Sequence, residues 1–315
     1  MNALRAALAE YVATRRSLGS KFQEPAGALG HFLDFLEREH ADTVTTNLAL
    51  RWAQEPKNVQ RATWARRLSA VRGFAAWLSC FDRRTEVPPR GLLNIHHRRN
   101  KPHIYTDEQI TQLMAVSASL RSRTGLRALT YSTLIGLLAA TGMRPGEAVS
   151  LNVADVDLVD GVLAVRDTKF GKSRFVPLDP STRDALARYA RRRDVRCPQR
   201  ETGAFLISER GHRLRGSSVR RMFAKLCAGI GLRPPVGPDR RIGRGPRLQD
   251  VRHTFATRRL VEWYRAGADV ERELPKLATY LGHAGVTSTY WYIEAVPELL
   301  QLATACAARA TGDRR

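Results

Sequence analysis

The sequence predicts a mainly α protein with one small antiparallel β-sheet, built as a helical N-terminal domain, a linker and a larger mixed second domain. Three observations carry this. Apolar residues recur at helical spacing over most of the 315-residue chain. A proline-rich basic stretch, EVPPRGLLNIHHRRNKPH from Glu86 to His103, interrupts that pattern. From Val156 to Leu178 the period becomes strand-like around an Asp160-Gly161 turn signal.

In residues 1–90, Leu4, Leu8, Tyr11 and Val12 share one helical face, and Val71, Phe74, Leu78 and Phe81 share another. GALGHFLDFLEREH, Gly27 to His40, adds a short amphipathic element between them. Residues 91–105 form the linker, because prolines break helices and the composition shifts there. The second domain, 106–315, opens with Thr106 as a helix cap and Glu108 and Gln109 in the first turn. A second helix, Ala128 to Ala140, ends at Gly142. Two turns, Asp160-Gly161 and Phe170 to Lys172, imply a three-stranded antiparallel sheet. From Ser181 onward the pattern is helical again. GLRPPVGPDRRIGRGPR, Gly231 to Arg247, breaks it with four Pro, four Gly and five Arg, which exclude a regular element.

The formal charge is +22, from 52 basic and 30 acidic residues, and both parts of the chain are basic. Such an excess points to a polyanion, and 45 of the 52 cations are Arg, the better residue for bidentate phosphate contact. A genome that favours arginine would give the same count. Hydrophobic residues at 43% exclude a disordered chain. The longest apolar run, Leu134 to Ala140, falls short of the about 18 residues a membrane span needs, so no membrane partner is expected. The N-terminal stretch is amphipathic, carries Glu10 and shows no apolar h-region or cleavage signal, so no secretion is expected. Cys80, Cys197, Cys227 and Cys306 lie far apart with no Cys-x-x-Cys pair, so neither a metal site nor a disulfide framework is expected, and a reducing cytoplasm is.

Four pieces carry candidate chemistry. In ATGMRPGEAVSL, Arg144 sits in the tight connection between a helix ending at Gly142 and one starting near Pro145. Glu147 is placed to pair with an arginine or to complement the new helix's N-terminus. Lys169 and Lys172, two of only seven lysines, share one hairpin, although a solvated turn would look the same. RLQDVRHTFATRRL places Arg252 and His253 near a helix start. LGHAGVTSTYWYIEA contains His283 and three consecutive rings, Tyr290, Trp291 and Tyr292. On residue type alone those rings are core filling or include a nucleophile, and the sequence by itself leaves both open.

Taken in order, the four pieces resemble the tyrosine recombinase (phage integrase) family over most of the chain. Its TG-x-R-x-x-E stretch is matched by Thr141, Gly142, Arg144 and Glu147; its hairpin lysine by Lys169 ahead of KSRFVPL; its second arginine by Arg252 in QDVRHTFA. Its L-G-H is matched by Leu281 to His283, and its nucleophile, nine residues beyond that histidine, by Tyr292. The resemblance implies a helical DNA-binding domain ahead of a catalytic domain that cuts and rejoins double-stranded DNA. In it Arg144, Arg252 and His283 bind the phosphate, Lys169 is general acid, and Tyr292 attacks, with Glu147 and His253 supporting. Lys172, Arg174, Arg240, Arg241, Arg244 and Arg247 are then DNA-binding residues. It further implies no cofactor and no metal, a homotetramer or mixed recombinase tetramer on DNA, and a nucleoid-associated place in the cytoplasm. One position departs: Gln249 stands where the family usually carries His or Lys, and glutamine cannot hold a proton as a base. That departure keeps a DNA-binding architectural or regulatory protein as an alternative, and a type IB topoisomerase shares the chemistry. The tail after Tyr292, with Pro297, Leu299, Leu302 and Cys306, covers its own core or docks on a neighbouring subunit.

Overall fold

The computed structural model describes residues 2–20, 22–93, 101–166, 173–235, 245–283, 285 and 299–304, and the structural statements below concern these residues. The chain divides into two compact units, Met1–Asn100 and Lys101–Arg315.

The first unit contains α1 (Asn2–Ser17), α2 (Gln23–Arg38), α3 (Thr46–Gln54) and α4 (Arg61–Leu78). Their apolar faces close on one core that includes Leu29, Phe32, Leu36, Trp52, Val71 and Phe74. The Arg67 guanidinium lies 3.7 Å from the Trp52 ring centroid, so its charge rests on a π face rather than in bare hydrocarbon. Leu4 and Tyr11 point inward as their spacing predicts. Phe81 does not: it is 70% exposed, because α4 ends at Leu78 and the helical spacing that links it to Val71 and Phe74 stops there.

The second unit begins with α5 (Asp107–Ala118), whose first turn is closed by a reciprocal Thr106–Gln109 capping box. Next come α6 (Leu126–Thr141) and α7 (Pro145–Ser150). A three-stranded antiparallel sheet follows in the order β1 (Val156–Asp157), β2 (Val162–Val165), β3 (Arg174–Pro177). Leu163 pairs with Val156 on one side and Val176 on the other, and Gly161 supplies the positive φ of 66° that the tight turn needs. The Phe170–Lys172 turn lies outside the described residues. Four further helices are α8 (Pro180–Arg196), α9 (Gly216–Gly229), α10 (Leu248–Arg265) and α11 (Val270–Leu281).

Residues 197–215 depart from the expected helical continuation. Pro198, Gly203 and Gly211 interrupt the pattern, and the segment makes isolated bridges, Asn152 with Ala204 and Ile207 with Arg213. Ala204 to Ile207 are four consecutive buried residues, a pattern that fits an extended segment covered on both faces and not an amphipathic helix.

Helix α6 is buried nearly all round and anchors the main core with Leu134, Ile135 and Leu138. A smaller cluster joins Phe255 and Leu260 of α10 to Leu274, Leu277 and Leu281 of α11. Leu299, in the helical residues 299–304, is fully buried in this same cluster with Leu302 packed against it, so here the tail covers its own chain. Gly142 joins the two cores. It ends α6 at φ 61°, and a Cβ there would stand 2.3 Å from Phe255 Cδ1. Gly142→Ala is therefore expected to destabilise the fold by about 2–4 kcal/mol, from left-handed strain plus overpacking. The urea midpoint measures it, and a loss below about 1 kcal/mol would refute the account.

Candidate active site

The site is built where helices stop. The last carbonyls of a helix have no partner in their own turn, and the aligned peptide dipoles make that end partly negative. Helix α11 ends at Leu281, capped by Gly282 at φ 67°, with the His283 N–H bonded to Ala278 O at 2.9 Å. Its three terminal carbonyls are each taken by a different arginine. Arg174 Nε donates to Tyr280 O at 2.8 Å, Arg252 Nη2 to Leu281 O at 2.7 Å, and Arg144 Nη2 to Gly282 O at 2.7 Å. Arg252 also donates through Nη1 to Gly142 O, the end of α6, at 3.0 Å. One guanidinium thus ties two helix C-termini together, and its side chain is almost wholly buried at 2% exposure.

Arg144 stands at the cap of α7, and Glu147 reaches back from the third helical position to accept its backbone N–H at 2.9 Å. The same carboxylate accepts Arg144 Nη1 at 2.7 Å and both terminal nitrogens of Arg174, at 3.1 and 2.8 Å. Burial pushes the Glu147 carboxyl up, but the hydrogen bonds from Arg174 and Arg144 outweigh it and hold the group below its ordinary value. It is ionised at neutral pH. His283 follows the α11 terminus directly. Burial, and then the charges of Arg252 and Arg144, push its imidazole down to about 4, with His253 and Arg174 adding to the effect. It is neutral at physiological pH.

The structure therefore brings Arg144, Glu147, Arg252, His253 and His283 into one cluster whose guanidiniums outnumber its carboxylate, an arrangement suited to an anion. Gln249 is half-buried in the first turn of α10, one turn ahead of Arg252. Arg247 is half-exposed and pairs with buried Asp250, which accepts its backbone N–H and its Nη2, both at 2.8 Å. Arg174, expected among the DNA contacts, is turned inward at 11% side-chain exposure, because Glu147 and Tyr280 O take its donors. Lys169, Lys172, Arg240, Arg241, Arg244, Tyr290 and Tyr292 lie outside the described residues. Sequence reasoning missed Asp250, although an acid three residues after Arg247 at a helix start is a legible capping signal. It also missed the carbonyl acceptors, which no side-chain pattern can reveal.

A second basic feature lies between the start of α6, residues 207–215 and α9. This cleft of about 1230 Å³ is lined by Arg123, Arg127, Arg210, Arg215, Arg221 and Lys225 among others. Its carboxylate, Glu209, is engaged by Ser122 Oγ at 2.6 Å and the Thr124 N–H at 2.9 Å. Among the described residues no group of three or more His, Cys, Asp or Glu is placed to hold a metal ion, and no helix is long and apolar enough to cross a membrane.

Comparison with known proteins places this architecture. In overall fold the chain superposes on the Tn1549 transposon integrase in complex with transposon right end DNA. The TM-score is 0.64, covering 96% of this chain and 98% of that one at 18% identity. The fold is thus that of this integrase. A profile of the phage integrase family matches residues 104–298, and one of the phage integrase N-terminal SAM-like domain matches residues 26–79. The provisionally named integrase/recombinase y4rB of Sinorhizobium fredii is 43% identical over 96% of each chain. Tyrosine recombinase XerC of Thermodesulfovibrio yellowstonii is 30% identical over 75% of this chain and 72% of its own. The chain belongs to the phage integrase family, whose tyrosine recombinases are DNA strand-transferring enzymes.

Proposed function

We propose that the chain is a site-specific DNA recombinase that cuts and rejoins double-stranded DNA through a covalent 3′-phosphotyrosyl link. The observation that carries this reading is the pair Arg144 and Arg252, held rigidly on helix termini beside neutral His283. Arg144 commits two of its five N–H donors to described residues, which leaves donors for a phosphate. A phosphodiester gains charge on its non-bridging oxygens during attack, and pre-aimed guanidiniums strengthen their hydrogen bonds as it does. His283 adds a further N–H to those oxygens. Tyr292 Oη attacks phosphorus, the P–O5′ bond breaks, and Lys169 gives its proton to the departing oxygen. The phenol proton goes to water, since Gln249 cannot accept it. A 5′ hydroxyl of another duplex then reverses the step, so the link conserves the bond energy and no ATP is needed.

Double-stranded DNA is the partner. The +22 charge and the basic cleft beside α9 support it, and Arg240, Arg241, Arg244 and Lys172 extend the contact to the backbone. Residues 1–90 supply the second DNA-binding body, and exchange between two duplexes calls for one protomer per cut strand, a homotetramer acting at the nucleoid. Gln249 alone favours a second reading, a DNA-binding architectural protein that binds without cutting.

A suicide duplex, nicked so that the 5′ product diffuses away, decides between them. Wild-type protein is expected to accumulate a denaturation-resistant species attached to a DNA 3′ end, and sequencing those ends gives the target site. Binding with no covalent species would sink the recombinase reading. Relaxation of any supercoiled circle by a monomer would instead indicate a topoisomerase.

A further inference from the structure

We propose that Arg174 is a positioning residue of the strand-transfer site, acting through Glu147 on Arg144 without touching DNA. The inference rests on the recombinase reading above and goes beyond it. Arg174 opens strand β3, and three of its nitrogens face protein acceptors: Nε to Tyr280 O, Nη1 to Glu147 Oε1 and Nη2 to Glu147 Oε2. Its side chain is 11% exposed and that of Glu147 is 8%, and all three Arg174 nitrogens are already turned onto protein oxygens. Arg144, by contrast, is 33% exposed, and among the described residues its guanidinium reaches only Glu147 Oε1 and Gly282 O. Glu147 is therefore a shared hinge pin. One guanidinium fixes it from the sheet, and it fixes the other, which faces the site.

The geometry also explains why an arginine is needed. A bidentate fork onto a carboxylate plus a third N–H onto a carbonyl is a planar pattern that one ammonium cannot reproduce. The approach is so close that Gly282 can carry no side chain: a Cβ there would stand 2.8 Å from Arg174 Nη1. Without Arg174 the carboxylate is free to turn toward Arg144 and draw its guanidinium off the phosphate. A displacement of about 1 Å at a reacting centre costs on the order of 10²-fold in rate.

The test uses the full-length protein on the suicide duplex with Arg174→Met, Arg174→Lys, Glu147→Gln and the double variant Glu147→Gln/Arg174→Met. At saturating DNA, both Arg174 variants are expected to form the covalent species about 10- to 100-fold more slowly, with half-saturation unchanged. The Arg174→Met effect is expected to shrink to about threefold or less in the Glu147→Gln background, because partners in one chain of contacts are not additive. The slope of log affinity against log salt is expected to stay at the wild-type value, whereas a lost phosphate contact would flatten it by about 0.9. Thermal melting confirms that each variant is folded at the assay temperature. Should Arg174→Met fail to fold, Arg174→Lys, which keeps the charge, and Glu147→Gln, which keeps the shape, carry the comparison with a double variant made from those two. A flattened salt slope, additive effects, or cleavage within threefold of wild type would each overturn the proposal. Absence of any covalent species with wild-type protein would instead overturn the recombinase reading, so the two failures are distinguishable.

Discussion

Arg252→Lys is expected to slow covalent protein–DNA formation by about 10²–10³-fold at saturating DNA, the cost of losing one pre-aimed donor at a developing oxyanion. The structure adds a second effect from the same change. The Arg252 guanidinium spans Gly142 O at 3.0 Å and Leu281 O at 2.7 Å while buried at 2% exposure. A lysine ammonium can serve one carbonyl or lie between them, and the other is left buried and unbonded at a cost of about 1–3 kcal/mol. The melting temperature should therefore fall together with the rate. The two are separated by assaying well below the variant's melting point, where only the catalytic deficit remains. Cleavage within threefold of wild type by a folded Arg252→Lys protein would remove Arg252 from the proposed phosphate clamp.

Tyr292→Phe is expected to abolish the covalent species while leaving duplex affinity within about twofold of wild type, because it deletes one oxygen and keeps the ring. Tyr290→Phe, two residues away, is the matched control and should still form the link. Tyr292 lies outside the described residues, so the assignment rests on its place nine residues beyond His283 and on the chemistry, which needs one oxygen nucleophile near the arginine cluster. A link that survives Tyr292→Phe and disappears with Tyr290→Phe would move the nucleophile.

The two residues illustrate different degrees of legibility. Arg252 is readable from its motif as a candidate site residue, but its burial and its bridge between two helix ends are not. Phe81 shows the reverse error: helical spacing put it on the core face, and the end of α4 at Leu78 puts it in water at 70% exposure. Arg174 shows a third kind. In sequence it is one more cation in a basic chain, and only the fold reveals that its donors point at Glu147 and Tyr280 O.

What the chain's order of residues determined alone is local. The Thr106 capping box, the stop at Gly142 and the turn at Gly161 are decided by residues within a few positions of one another, and the sheet joins strands that follow one another directly in the chain. The motif order that marks the family belongs here too, since it is a property of spacing. Tertiary structure decided which arginine holds which carbonyl at the end of α11, and which guanidinium faces outward and which inward. Those acceptors are backbone oxygens that every residue possesses, so no side-chain pattern announces them. They become distinctive only when α6, α10, α11 and β3 are folded against one another.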